Sequence, residues 1–200
     1  MKTYYAKKTN IDNVPIGSDE WEKAETILID TPAPGSIYSP ETKAWLLHSE
    51  KGLSLKMETD EKPLVTEVKE RNGMVCEDSC LEFFIGTKEG GEYLNFEINP
   101  IKTLHLGFGP GRHGRTFPEI PDEAFDMDCS FENDKWQLKL FLSYEVIDEV
   151  FGSHTDVFYG NFYKCGDKTP KLHYLMWNPV ETPEADFHLP EFFGKIVLEK

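Results

Sequence analysis

The sequence predicts an all-β protein, an antiparallel β-sandwich of two packed sheets with one short connecting helix. Three observations carry this. Several stretches alternate apolar and polar residues with a period of two, Pro and Gly interrupt them about every 8 to 12 residues, and only one segment has helical spacing. The chain has 200 residues, 39% hydrophobic and 13% aromatic. That suits one domain over residues 1–200 with a sizeable core, because a chain this long buries roughly 70% of its unfolded surface.

Along the chain, the Pro-rich "TPAPGSIYSP", Thr31 to Pro40, reads as a loop between strands. "TKAWLLHSEKGLSLKMET" reads as a hairpin. Ala44, Leu46 and His48 alternate with Lys43, Trp45 and Leu47; after the turn at Glu50 to Gly52, Leu53, Leu55 and Met57 face opposite to Ser54, Lys56 and Glu58. In "EDSCLEFFIGTKEGGEYLNFEINP", Glu77 to Pro100, Leu81, Phe83 and Ile85 share one face, and beyond the Gly-rich turn Leu94, Phe96 and Ile98 do the same. These six are expected to form the inner layer. "MDCSFENDKWQLKLFL" repeats the pattern, turning at Glu132 to Lys135, with Trp136, Leu138, Leu140 and Leu142 on one face. "SYEVIDEVFG" alone reads as a helix. Ser143 caps its start, Val146, Ile147, Val150 and Phe151 lie at helical spacing, and Gly152 ends it. "VFYGNFYKC" and "GKIVL" supply two further strands.

Lys and Arg total 21 against 36 Asp and Glu, a formal charge of −15, which excludes nucleic acid and anionic membrane surfaces as natural partners. No run of 18 apolar residues occurs, and the N-terminal stretch has no apolar core of signal-peptide length. A cytoplasmic location is expected for the chain as given, and a secreted one if a leader has been removed. Cys76, Cys80, Cys129 and Cys165 are too few and scattered for a disulfide scaffold and are expected to be reduced, structural thiols. The six histidines show no i, i+4 pair, so no metal site is assigned. No nucleophile elbow or Cys–His spacing appears, and no catalytic residue is assigned.

The parity of the central hairpin directs Glu82, Tyr93, Asn95, Glu97 and Asn99 away from the inner layer. Either this is an ordinary solvated face, or it binds a polyhydroxylated ligand whose hydroxyls pair with carboxylates and amides. A Glu82–Glu97 pair is also the raw material of a glycosidase, which needs two carboxylates about 5 to 10 Å apart. "GPGRHG", Gly109 to Gly114, matches a dinucleotide-binding pattern, but "RTFPEIPDE" follows in place of a helix and the segment reads as a loop. Its Arg112, His113 and Arg115 either neutralise nearby carboxylates or reach into a cleft. The tail "FHLPEFFG" is expected to be structural, with Phe187 and Phe192 or Phe193 packed, Pro190 and Gly194 setting turns and His188 bonding a backbone group.

The segments "DSCLEFFI…YLNFEINP", "KWQLKLFLSYEVIDEVFG", "NFYKCGD" and "HYLMWNPVETPEADFHLPEFFGKIVL" resemble, in order and spacing, the family 9 carbohydrate-binding module and its bacterial relatives among the DOMON-like sandwiches. The resemblance implies a non-catalytic domain that binds a mono- or oligosaccharide on a concave sheet face, where aromatic side chains sandwich a sugar ring. By residue it implies Glu82, Glu97 and Asn99 as hydroxyl partners, Arg112 or Arg115 as the arginine, and Trp177 as one aromatic of the clamp. At the place of the second aromatic this chain has Met74, Val75 and Cys76. The resemblance further implies association with glycan-degrading enzymes and structural calcium held by acidic loops; no other cofactor is expected. The alternatives are a structural or protein-interaction sandwich that has lost the clamp, a glycoside hydrolase, and the haem binding of some DOMON relatives.

Overall fold

The computed structural model describes all 200 residues. Its strands are β1 (Thr3–Lys8), β2 (Ile27–Leu28), β3 (Thr31–Pro32), β4 (Thr42–His48), β5 (Gly52–Thr59), β6 (Cys80–Gly86) and β7 (Tyr93–Ile98), then β8 (Leu104–Gly109), β9 (Asp128–Glu132), β10 (Lys135–Ser143), β11 (Val157–Gly166), β12 (His173–Met176) and β13 (Gly194–Leu198). One helix, α1 (Tyr144–Phe151), follows β10. The Ser143 side chain accepts from the Val146 amide to cap it, and Gly152 ends it in the left-handed conformation, as the spacing predicts.

The strands run β8-β7-β6-β11-β13-β1-β4-β5-β10-β9. β1 joins the two halves. Its first four residues pair parallel with β13, Thr3 opposite Lys195 through Ala6 opposite Leu198, while Lys7 and Lys8 pair parallel with Leu47 and His48 of β4. The other ladders are antiparallel, so the sandwich is one curled sheet hinged along a single strand. The expected loop from Thr31 to Pro40 carries the two-residue β3, which pairs with β12 at Leu175 and Met176. β1, β2, β8 and β12 are additions to the strands legible in the sequence, each too short or too mixed in pattern to stand out.

The predicted faces hold. Leu81, Phe83 and Ile85 lie opposite Ile98, Phe96 and Leu94, Leu46 opposite Leu55, and Leu138 and Leu140 of β10 opposite Met57 and Leu55 of β5. All are buried in the core between the sheets. Phe83 stacks on Phe162 with ring centroids 4.9 Å apart, and Phe96 meets Phe125 edge-on at 5.1 Å. Trp177 also belongs to this core, edge-on to Phe162 at 5.6 Å. Gly194 is needed beside it, since a Cβ there would overlap the indole ring.

One end of this core holds a charge. Lys164 of β11 is fully buried, and its Nζ sits 2.7 Å from the Glu61 carboxylate and donates to the Cys165 carbonyl at 2.7 Å. His173 lies 3.7 Å from the same carboxylate, and burial lowers its pKa to about 4, so it stands neutral.

Phe96→Ala is expected to cost roughly 3 to 5 kcal/mol in denaturant unfolding. Glu61→Ala, which strands a buried ammonium, should cost a similar roughly 3 to 5 kcal/mol, and a loss below about 1 kcal/mol would show that the lysine finds water.

Candidate functional site

The face of β6, β7, β8 and β11 opposite the main core is roofed. A second apolar layer, including Phe84, Tyr93, Tyr163, Phe187 and Phe193, lies on it. Two chain segments form this roof, and polar side chains tie both down to the sheet. The Asp78 carboxylate accepts from the Glu67 and Val68 amides at 3.0 and 2.9 Å, and Asn99 donates to the Val68 carbonyl and to Asp78 at 2.8 and 2.9 Å. Asn72 closes on the edge strand, its side chain accepting from the Leu106 amide at 2.9 Å. From the C-terminal side, Tyr163 donates its hydroxyl to the Phe187 carbonyl at 3.1 Å, and Asn178 its amide to the Phe192 carbonyl at 2.6 Å.

A cleft of about 240 Å³ remains between the two roof segments. Glu82 and Glu97 form its floor, directly opposite each other on β6 and β7. They are only 2% and 5% exposed, which sets aside the alternative of an ordinary solvated face. Neither lies within 4.0 Å of a cationic nitrogen. Burial raises the pKa of both; the charge of Glu97 raises Glu82 further, whereas His105 and Arg115 draw Glu97 partly back.

Arg115 enters from the loop after β8. Its Nη1 donates to Asn95 Oδ1 at 2.9 Å, and Asn95 donates in turn to Glu97 Oε1 at 3.0 Å. Gly107 makes this approach possible, because a Cβ there would strike the Asn95 amide and reach 3.5 Å from the guanidinium. Arg115 also meets His188 Nδ1 at 3.3 Å, the atom that the Tyr93 hydroxyl reaches at 2.9 Å. Nδ1 can take both only as an acceptor. The ring is therefore neutral, its pKa lowered to about 3 by burial and by the two arginines. Arg112, at the rim, pairs with Asp186 at 2.8 Å.

His105 faces the cleft from β8, opposite Glu97. Its Nδ1 donates to the Gly73 carbonyl at 3.0 Å, and its buried Nε2 has no partner. Tyr174, Phe187, Cys165, Asp167 and Met74 add to the walls, Met74 being 59% exposed.

Of the residues picked from sequence, the structure gathers Glu82, Glu97, Arg112 and Arg115 around one cleft. Trp177 is 6% exposed and packed between the sheets, so the aromatic wall assigned to it is Tyr174 and Phe187 instead. Asn99 is buried beneath the roof and spends its amide on Val68 and Asp78. His188 bonds side chains in the cleft, not the backbone group expected. Sequence reasoning missed His105, Cys165 and Asp167, because the strand bearing His105 was unmarked and the others are set by the pairing of β6 with β11. The calcium implied by the resemblance calls for six to eight oxygen donors. The cluster of three metal-binding side chains here, Cys80, Glu82 and Cys165, offers two sulfurs and does not fit it.

A two-layered sandwich with a small, polar-floored cleft on a roofed sheet face is the architecture of a ligand-binding module. The sequence matches the model of carbohydrate-binding family 9 over residues 19–198, and the chain belongs to that family. No functionally curated protein matches the sequence. Among solved structures, a Bacteroides uniformis ATCC 8492 protein named for a proposed carbohydrate-binding role is 26% identical, covering 99% of each chain with a TM-score of 0.85. Two structures of a family 9 carbohydrate-binding module from Caldicellulosiruptor kristjanssonii share the fold at 12% identity. One, in complex with cellotriose, covers 99% of this chain and 94% of that one with a TM-score of 0.69; the other, in complex with glucose, covers 99% and 96% with a TM-score of 0.71.

Glu82 and Glu97 hold their protons more tightly in the folded protein than in the unfolded chain, so the stability they contribute is full below the ordinary carboxylate value of 4.5 and is lost as pH rises through their raised values. Glu82→Gln should therefore melt higher than wild type at pH 8, by about 2–4 °C per kcal/mol regained, and no higher at pH 4. Equal shifts at both pH values in scanning calorimetry would refute the buried-pair account.

Proposed function

We propose that this chain is a non-catalytic carbohydrate-binding domain that takes one ring of a mono- or oligosaccharide in the cleft above Glu82 and Glu97. One observation carries the reading: buried hydrogen-bonding groups converge on the cleft with capacity left over. His105 Nε2 is a buried polar atom without a partner, the two carboxyl groups face the same space, and Arg115 is held in place by Asn95 and His188. Sugar hydroxyls both donate and accept, which suits such a mixed set. The walls of Tyr174 and Phe187 offer apolar surface to the CH faces of a ring. A cleft of about 240 Å³ is below the roughly 300–1,000 Å³ of sites for drug-sized ligands, so a single ring fits the space and a longer chain would extend outward.

The fold shared with modules solved with cellotriose and with glucose supports the ligand class, and the contacts are argued from this chain's own chemistry. The glycosidase reading fares worse. Residues directly opposite on adjacent strands project side by side from one sheet face, whereas hydrolysis needs two carboxylates flanking the scissile bond.

Calorimetric titration of mono- and disaccharides should give saturable heat with wild type. Arg115→Ala and His105→Ala should bind at least about tenfold more weakly, as expected for loss of a hydrogen bond worth about 1.5 kcal/mol or more. An absence of heat from every sugar with folded wild type would remove the proposal and leave a structural or protein-interaction role.

A further inference from the structure

The deepest part of the cleft holds chemistry that a sugar site does not require. Cys80 and Cys165 are directly opposite on β6 and β11, and Glu82 is two residues from Cys80 on the same face of β6. Their ligand atoms, two Sγ and one carboxylate oxygen, all lie within 4.8 Å of one another, and all three residues are buried. The Cys165 thiol donates to the Cys76 carbonyl at 3.2 Å and stands beside the Glu82 carboxylate. Glu82 and Cys165 also line the cleft, so the cluster can be reached from solvent.

We propose that Cys80, Glu82 and Cys165 form a binding site for a soft divalent cation of the zinc class, with a fourth coordination position open to the cleft. The donor set decides the class, since two thiolates and one carboxylate select zinc-like ions over calcium or magnesium. The spacing agrees. Tetrahedral ligands at Zn–S of about 2.3 Å and Zn–O of about 2.0–2.2 Å stand roughly 3.5–3.8 Å apart, within the 4.8 Å spread seen here, so side-chain rotation alone closes the site.

The second observation is electrostatic. Glu82 is 98% buried, given its 2% exposure, aimed into the cleft, and faces Glu97 without a cationic nitrogen within 4.0 Å of either carboxylate. A bound cation supplies the missing positive charge. Binding forms two metal–sulfur bonds and one metal–oxygen bond and releases the two thiol protons, and the carboxyl proton where Glu82 carries one, to solvent; no electron is transferred. The inference does not rest on the saccharide reading, because its test contains no sugar.

Titrating Cd²⁺ into the metal-free full chain, under a non-thiol reductant, should produce thiolate-to-metal charge-transfer absorption that saturates at one equivalent. Cys80→Ser and Cys165→Ser should each lose most of that absorption, Cys129→Ser should keep it, and Glu82→Gln should weaken binding roughly ten- to a hundredfold. X-ray absorption on wild type loaded with one equivalent of Zn²⁺ gives a reading independent of whether the variants fold, with a shell of two sulfurs at about 2.3 Å expected. A shell of nitrogen and oxygen alone, or no saturable charge-transfer band, would overturn the assignment whatever sugar titrations show.

Discussion

Both faces of the sheet formed by β6, β7, β8 and β11 are covered by apolar layers, and this double burial constrains everything placed on its outer face. A polar side chain there has little water to bond and must find a partner in the protein or in a ligand. Most find one. Asp78 and Asn99 hold the roof through its backbone amides and carbonyls, Asn72 of the roof accepts from the Leu106 amide of β8, and Asn161 and Asn178 hold the C-terminal segment, Asn161 donating to the Asn178 carbonyl at 2.8 Å. What remains unpaired collects where the two roof segments part. The cleft is thus the place where the hydrogen-bonding capacity of a buried sheet face is left for something else to fill.

The electrostatics of the cleft follow from the same burial. Two carboxylates on adjacent strands share a poorly solvated space, and the arginine that could compensate them is routed through an amide: Arg115 bonds Asn95, and Asn95 bonds Glu97. The guanidinium is therefore oriented without being consumed in an ion pair. His188 is kept neutral between Tyr93 and Arg115, which fixes its Nδ1 as an acceptor. A neutral ligand rich in hydroxyls suits the cleft's upper part. The thiols of Cys80 and Cys165 beneath Glu82 are suited to a different kind of partner.

The opposite face of β11 meets the same constraint in another way. Lys164 has parity with Phe162 and lies among core residues, yet the ladder leaves room for Glu61 to reach it from the chain after β5. Nothing in the local sequence marks that pair, because Lys164 and Glu61 are about a hundred residues apart, one on β11 and the other in the loop after β5.

The sequence by itself determined the hairpins, their registers and the inner core, since alternation along a strand settles which side chains share a face, and neighbouring strands joined by short turns can pair in few ways. It also determined that Glu82 and Glu97 lie together, for they belong to one hairpin. It could not determine whether that outer face meets water, because the residues that roof it come from distant segments whose placement depends on long-range packing. Trp177 illustrates the difference. Its position in "MWNP" is compatible with a rim or a core, and only the space opened by Gly194 and the ring of Phe162 decides for the core. His105, Cys165 and Asp167 reached the cleft for the same reason: strand order, not local pattern, sets which side chains become neighbours.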